Sequence, residues 1–239
     1  MKLVHNPARG LKLILLLFAF ACSTSAQQDG STENTAQAAI DQGDEVINYL
    51  PDTLSLPDSA FVNLAWFEDA FVYDLRYATA NNFTGKVVYP CAECKIRFGV
   101  AKALLRVADG LRQEGGYRIK FYDCYRPVSV QRTFWEIYPD ARYVANPNTT
   151  GSVHNKGAAV DITLVDSLGR ELNMGTGYDH FGVEAHHDYV DLPAEVLANR
   201  RRLKTALEAE GFHSIRTEWW HYNYQKGAGY GLADEPLCE

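Results

Sequence analysis

The stretch Ser152-Val-His-Asn-Lys-Gly-Ala-Ala-Val-Asp161 constrains this chain most, because it sets an aspartate inside an apolar run. Ala158-Ala-Val-Asp-Ile-Thr-Leu-Val165 is rich in small and β-branched residues and predicts a largely buried β-strand. A lone carboxylate in such a strand bears a large desolvation penalty unless a cation, an arginine or capping amides meet it. His154 stands seven residues earlier, and Asn155-Lys156-Gly157 between them suits a tight turn. Both side chains can then converge on one metal ion.

Two ligands are too few, and Glu218-Trp-Trp-His221 offers a third at the start of a second strand-like run, Glu218 to Tyr224. Two histidines and one aspartate leave a fourth position for water, the open arrangement of catalytic zinc. Glu218 is then free to act as a base. An ideal strand points residues three apart to opposite faces, so this role requires a distorted segment around Glu218 and His221.

The pattern Ser-x-His-x-x-Gly-x-Ala-x-Asp, met by Ser152, His154, Gly157, Ala159 and Asp161, precedes Glu-Trp-Trp-His and resembles the zinc D-alanyl-D-alanine dipeptidases. The resemblance extends to the stretch Tyr77 to Gly85, to Tyr122-Asp-Cys-Tyr-Arg-Pro127 and to Asn199-Arg-Arg-Arg-Leu203, covering roughly residues 62 to 225. It implies an α+β fold, an antiparallel sheet with packed helices similar to the Hedgehog/D,D-peptidase fold. It implies one Zn2+ per catalytic domain held by His154, Asp161 and His221, Glu218 as the base, and Arg126 stabilising charge on the tetrahedral intermediate. Tyr77, Ser152 and Asp179 are the implied substrate contacts, with Asp179 on the substrate's free ammonium. The expected reaction is hydrolysis of the small dipeptide D-Ala-D-Ala in cell-wall peptide turnover. The alternatives are a D,D- or L,D-carboxypeptidase acting on peptidoglycan stem peptides, and a non-catalytic zinc-containing cell-wall-binding protein.

Three segments follow from composition. Lys2, Arg9 and Lys12 precede the apolar run Leu13 to Ala21, so residues 1–26 read as an export signal. Cleavage falls either before Cys22, which would then carry a lipid, or after Ala26. Residues 27–58 are polar and read as a tether, and 59–239 form one catalytic domain. The expected location is the periplasm or a membrane surface, with membrane contact only through a lipid on Cys22. A formal net charge of −7 and the lack of a basic aromatic patch argue against a nucleic-acid partner.

Within the domain, the residues predict a strand over Phe71 to Tyr77, a helix over Gly99 to Gly115, a strand over Tyr117 to Tyr125 and a helix over Val128 to Tyr138. A further helix spans Pro193 to Glu210, with Arg200 to Arg202 forming a solvated or core-bridging face. His180, His186 and His187 match no position of the metal pattern and are read as loop or outer residues. Cys91, Cys94, Cys124 and Cys238 make an even set that suits disulfides in an exported protein, with three complete pairings open.

Overall fold

A computed structural model describes residues 55–67 and 70–238. The expected export signal, with Cys22, and nearly all of the expected tether lie outside the described residues.

Strands β1 (Phe61–Asn63), β2 (Phe71–Tyr73), β3 (Lys95–Arg97), β4 (Arg118–Asp123), β5 (Ala159–Val165), β6 (Phe212–Ile215) and β7 (Glu218–Tyr224) join helices α1 (Phe98–Gly115), α2 (Val128–Ile137) and α3 (Ala194–Ala209). Five strands form the main sheet in the order β2-β4-β5-β7-β6, and β1 pairs with β3 in a separate two-stranded sheet. All main-sheet pairings are antiparallel except the edge pair β2 and β4. The fold is therefore α+β, an antiparallel-dominated sheet with packed helices.

The aspartate-bearing run is the central strand, and every residue from Ala159 to Val165 is buried. Alternation turns Val160, Ile162 and Leu164 into the principal core, which leaves Ala159, Asp161 and Thr163 on the opposite face. Helix α1 supplies Val100, Ala103, Leu104, Val107, Ala108 and Leu111 to that core at helical spacing. It stops at Gly116, whose left-handed φ of 71° lets its N–H reach the carbonyls of Arg112 and Leu111.

The strand expected over Phe71 to Tyr77 is shorter than its alternation suggests. It ends at Tyr73, and Arg76–Ala78 turns into a 3-10 segment that buries Tyr77. At this bend the Asp74 amide still donates to the Phe121 carbonyl, and its carboxylate pairs with both Arg76 and Lys120.

Two irregularities frame the central strand. In β4, Phe121 faces Ile162 while Asp123 faces Asp161, so Tyr122 is squeezed out of register. In β7, Ser214 pairs with Tyr222 but Ile215 already pairs with Glu218, leaving Trp219, Trp220 and His221 without regular partners in β6. Such bulges bend a strand and re-aim side chains. Both lie beside Asp161.

Disulfides join Cys91 to Cys238 and Cys94 to Cys124, which selects one of the three pairings. No helix among the described residues is long and apolar enough to cross a membrane.

Candidate metal centre and active site

His154, Asp161 and His221 come together although 67 residues separate the two histidines. His154 sits in the 3-10 turn Val153–Lys156, capped by the Ser152 hydroxyl and closed by Gly157 at φ 66°. A Cβ at Gly157 would come within 2.4 Å of the Phe61 ring, so both conformation and space call for glycine there. Asp161 and His221 are direct cross-strand partners of β5 and β7.

Asp161 Oδ1 lies 3.2 Å from His154 Nε2 and 2.9 Å from His221 Nδ1, and the two ring nitrogens are 3.2 Å apart. The outer nitrogens fix the tautomers. His154 Nδ1 donates to the Cys124 carbonyl at 2.6 Å, and His221 Nε2 donates to Asn223 Oδ1 at 2.9 Å. With the protons on these outer nitrogens, as metal ligation requires, both rings turn lone pairs towards a buried carboxylate oxygen. Three electron-pair donors in contact repel one another unless a cation joins them. Tetrahedral bonds of roughly 2.0–2.1 Å to zinc set ligand atoms about 3.3 Å apart, close to the spacing found. Oriented histidines are the usual supporting arrangement of such a site. The donor set fits one zinc ion.

The bulge in β7 resolves the conflict over Glu218. Its Oε2 lies 4.0 Å from His221 Nδ1, on the same side as the three ligand atoms. Burial pushes the Glu218 carboxyl up to about 7, with Asp161 and Asp179 adding to the rise against the pull of His221.

Arg126 follows the end of β4 and is nearly buried. Its Nη2 donates to Asp123 Oδ2 at 2.6 Å and its Nη1 to Gln131 Oε1 at 2.9 Å. The guanidinium lies over the Phe134 ring, 4.7 Å from its centre. Asp123 is itself fixed by the Tyr89 hydroxyl at 2.6 Å and the Cys124 amide at 2.9 Å. Despite the desolvation of Arg126, Asp123 keeps the guanidinium firmly charged.

Asp179 takes a left-handed φ of 58°, the only non-glycine residue to do so among the described residues. That backbone turns its carboxylate inward, where the Tyr77 hydroxyl donates to it at 3.1 Å. Burial raises the carboxyl to about 7, helped by the charge of Asp161. The Ser152 oxygen accepts the His154 amide at 3.2 Å, which leaves its own proton available to a ligand. Tyr77, Arg126, Ser152, His154, Asp161, Asp179, Glu218 and His221 all line one cavity of about 260 Å³. It lies just below the roughly 300–1,000 Å³ of common small-molecule sites.

The outer histidines stand apart from the three ligand atoms. His180 pairs with Glu184 on the surface, and His186 contacts Arg216. His187 packs edge-on against Tyr222 and is held down to about 4, chiefly by burial.

Sequence reasoning did not single out Asp123, Gln131, Asn223 or Tyr178. Asp123 lies in Tyr122-Asp-Cys-Tyr-Arg-Pro127, and a carboxylate three residues before the strand-end Arg126 is the signal that could have found it. Tyr178 donates to Asp161 Oδ2 at 2.9 Å, a contact with no local sequence signature.

Comparison with known proteins agrees with this chemistry. A family model described as D-ala-D-ala dipeptidase matches residues 58–238. The D-alanyl-D-alanine dipeptidase of Escherichia coli (strain K12) is 35% identical over 190 residues, covering 79% of this chain and 95% of that protein. The D-alanyl-D-alanine dipeptidase of Streptomyces coelicolor is 35% identical over 176 residues, covering 64% of this chain and 86% of that one. The crystal structure of a vancomycin-resistance D,D-pentapeptidase in complex with Zn(II) shares 20% identity and a TM-score of 0.38, covering 63% of this chain and 88% of that one. That superposition is too distant to add to the assignment. With a family match across the whole described domain and a donor set suited to zinc, the chain belongs to the D-Ala-D-Ala dipeptidase family of zinc metallopeptidases.

Proposed function

We propose that the protein hydrolyses the free dipeptide D-Ala-D-Ala to D-alanine, as part of cell-wall peptide turnover outside the cytoplasm. The observation that carries this reading is the placement of Asp179 in the same small cavity as the three metal ligands. A buried carboxylate whose charge is disfavoured by its surroundings is suited to a substrate ammonium, because ligand binding supplies the missing counter-charge. A free amino end so near the reacting centre marks a very short peptide. The names of the similar dipeptidases support the same choice.

His154, Asp161 and His221 would hold the zinc. When bound, zinc polarises the scissile carbonyl and makes water acidic enough to attack near neutral pH. Glu218 takes the proton from the attacking water and returns it to the departing amine. Arg126, held taut between Asp123 and Gln131, donates to the oxygen on which negative charge develops. Asp179 and Tyr77 hold the amino end, and the Ser152 hydroxyl is placed to donate to the substrate. Two disulfides within the domain support action in an oxidising compartment.

The deciding experiment measures D-alanine release from D-Ala-D-Ala by the zinc-loaded protein, with a stem pentapeptide in parallel. The dipeptide should be cleaved and the pentapeptide left largely intact. Cleavage of the pentapeptide alone would replace the dipeptidase reading with a carboxypeptidase one.

A further inference from the structure

Asp161 has two oxygens, and Oδ1 alone faces the two histidine nitrogens. Oδ2 points away from them and accepts the Tyr178 hydroxyl at 2.9 Å. We propose that Tyr178 is a positioning residue for the metal: by occupying Oδ2 it confines Asp161 to one-oxygen ligation and so preserves an open coordination position for the reaction. This rests on the zinc-peptidase reading of the site.

A carboxylate can ligate through one oxygen or both, and the choice depends on what else binds the second oxygen. Tyr178 is well placed to decide it because its ring cannot easily move. It stacks on Tyr122 with centroids 4.7 Å apart and meets Trp220 edge-on at 5.5 Å. Its loop is pinned from behind. Arg200, buried on α3, donates to the carbonyls of Met174, Glu184 and His186, and the Trp219 indole donates to the Thr176 hydroxyl at 2.8 Å. The adjacent Trp220 and His221 bring the same bulged segment from the loop contact to the metal ligand.

The direction of the proton is also fixed. The Tyr77 and Tyr178 oxygens lie 3.2 Å apart, but Tyr77 can donate to Asp179, and Tyr178 has a single proton for Asp161. A carboxylate oxygen at 2.9 Å is a stronger acceptor for that proton than a phenol oxygen at 3.2 Å. Tyr178 therefore acts on the ligand rather than on the substrate.

The test is Tyr178→Phe, which keeps the stacked ring and deletes the hydroxyl, beside Tyr122→Phe, which deletes a hydroxyl bonded to Glu171 and not to Asp161. Zinc affinity is measured by chelator competition, and coordination number by the visible spectrum of the cobalt-substituted protein. Neither readout requires turnover, so both remain decisive if the dipeptide is not the substrate. Tyr178→Phe should weaken zinc about 10–100-fold and shift the cobalt spectrum towards the weaker absorption of a higher coordination number. Tyr122→Phe should leave both unaltered. Where D-Ala-D-Ala is cleaved, Tyr178→Phe should lower kcat more than it changes KM. Unchanged affinity and spectrum in Tyr178→Phe would overturn the proposal, as would equal changes in both variants.

Discussion

Glu218→Gln separates what the active site does from what it demands of the fold. Burial raises the Glu218 carboxyl from the ordinary 4.5 to about 7. At about 1.4 kcal/mol per pH unit, that difference corresponds to about 3 kcal/mol of charging penalty in the metal-free protein. Below pH 4.5 both folded and unfolded chains hold the proton, so the group is neutral towards stability. Between 4.5 and about 7 the unfolded chain releases the proton first, and folding stability falls as pH rises. Above about 7 the full penalty is present. Glutamine cannot ionise, so the variant should match the wild type at pH 4 and exceed it by up to about 3 kcal/mol at pH 8. Urea unfolding with a chelator present and disulfides intact measures this directly. Zinc should shrink the difference, because a cation beside Glu218 stabilises its charge. In the loaded enzyme the same substitution should reduce kcat by about 10²–10⁴-fold. A stability difference that does not vary with pH would refute the assignment of a strained, buried carboxylate.

Other perturbations probe the supports of the site. Asn223→Ala removes the acceptor that fixes the His221 tautomer, and zinc affinity by chelator competition should fall about 10–100-fold. Asp123→Asn leaves the Arg126 guanidinium without its buried counter-charge; unfolding should show a loss of about 3–5 kcal/mol, with kcat falling in the folded fraction.

The grouping of His154, Asp161 and His221 was legible from their joint occurrence, not from any one of them alone. A charge within an apolar strand and a histidine before a glycine turn are anomalies that call for a partner. The expected helices also rest on local periodicity, and α1 and α2 fall within a residue of their expected bounds. Glu218 was different. Its approach to His221 depends on how β7 pairs with β6, and a register shift between strands leaves no mark on either strand alone. Tyr178 was hidden for a related reason: a tyrosine in a glycine-rich loop gains its role only when that loop folds over β5. The disulfide pairing was a choice among three connectivities that chain order does not make. The roles expected of Arg126 and Asp179 came from resemblance. At those positions the structure has a paired, buried guanidinium and an inward-turned carboxylate.

The bond between Cys94 and Cys124 fastens the end of β4 to the segment leading into β3. From that short end come the carbonyl that orients His154, the carboxylate that steadies Arg126, and Arg126 itself. Closing this 30-residue loop removes about 4 kcal/mol of unfolded-chain freedom on a simple entropy account. In a newly made, still reduced chain, nothing covalent holds those groups in place. Pairing of Cys94 with Cys124 thus gives the support of His154 and the support of Arg126 one shared covalent anchor, which a reduced chain lacks.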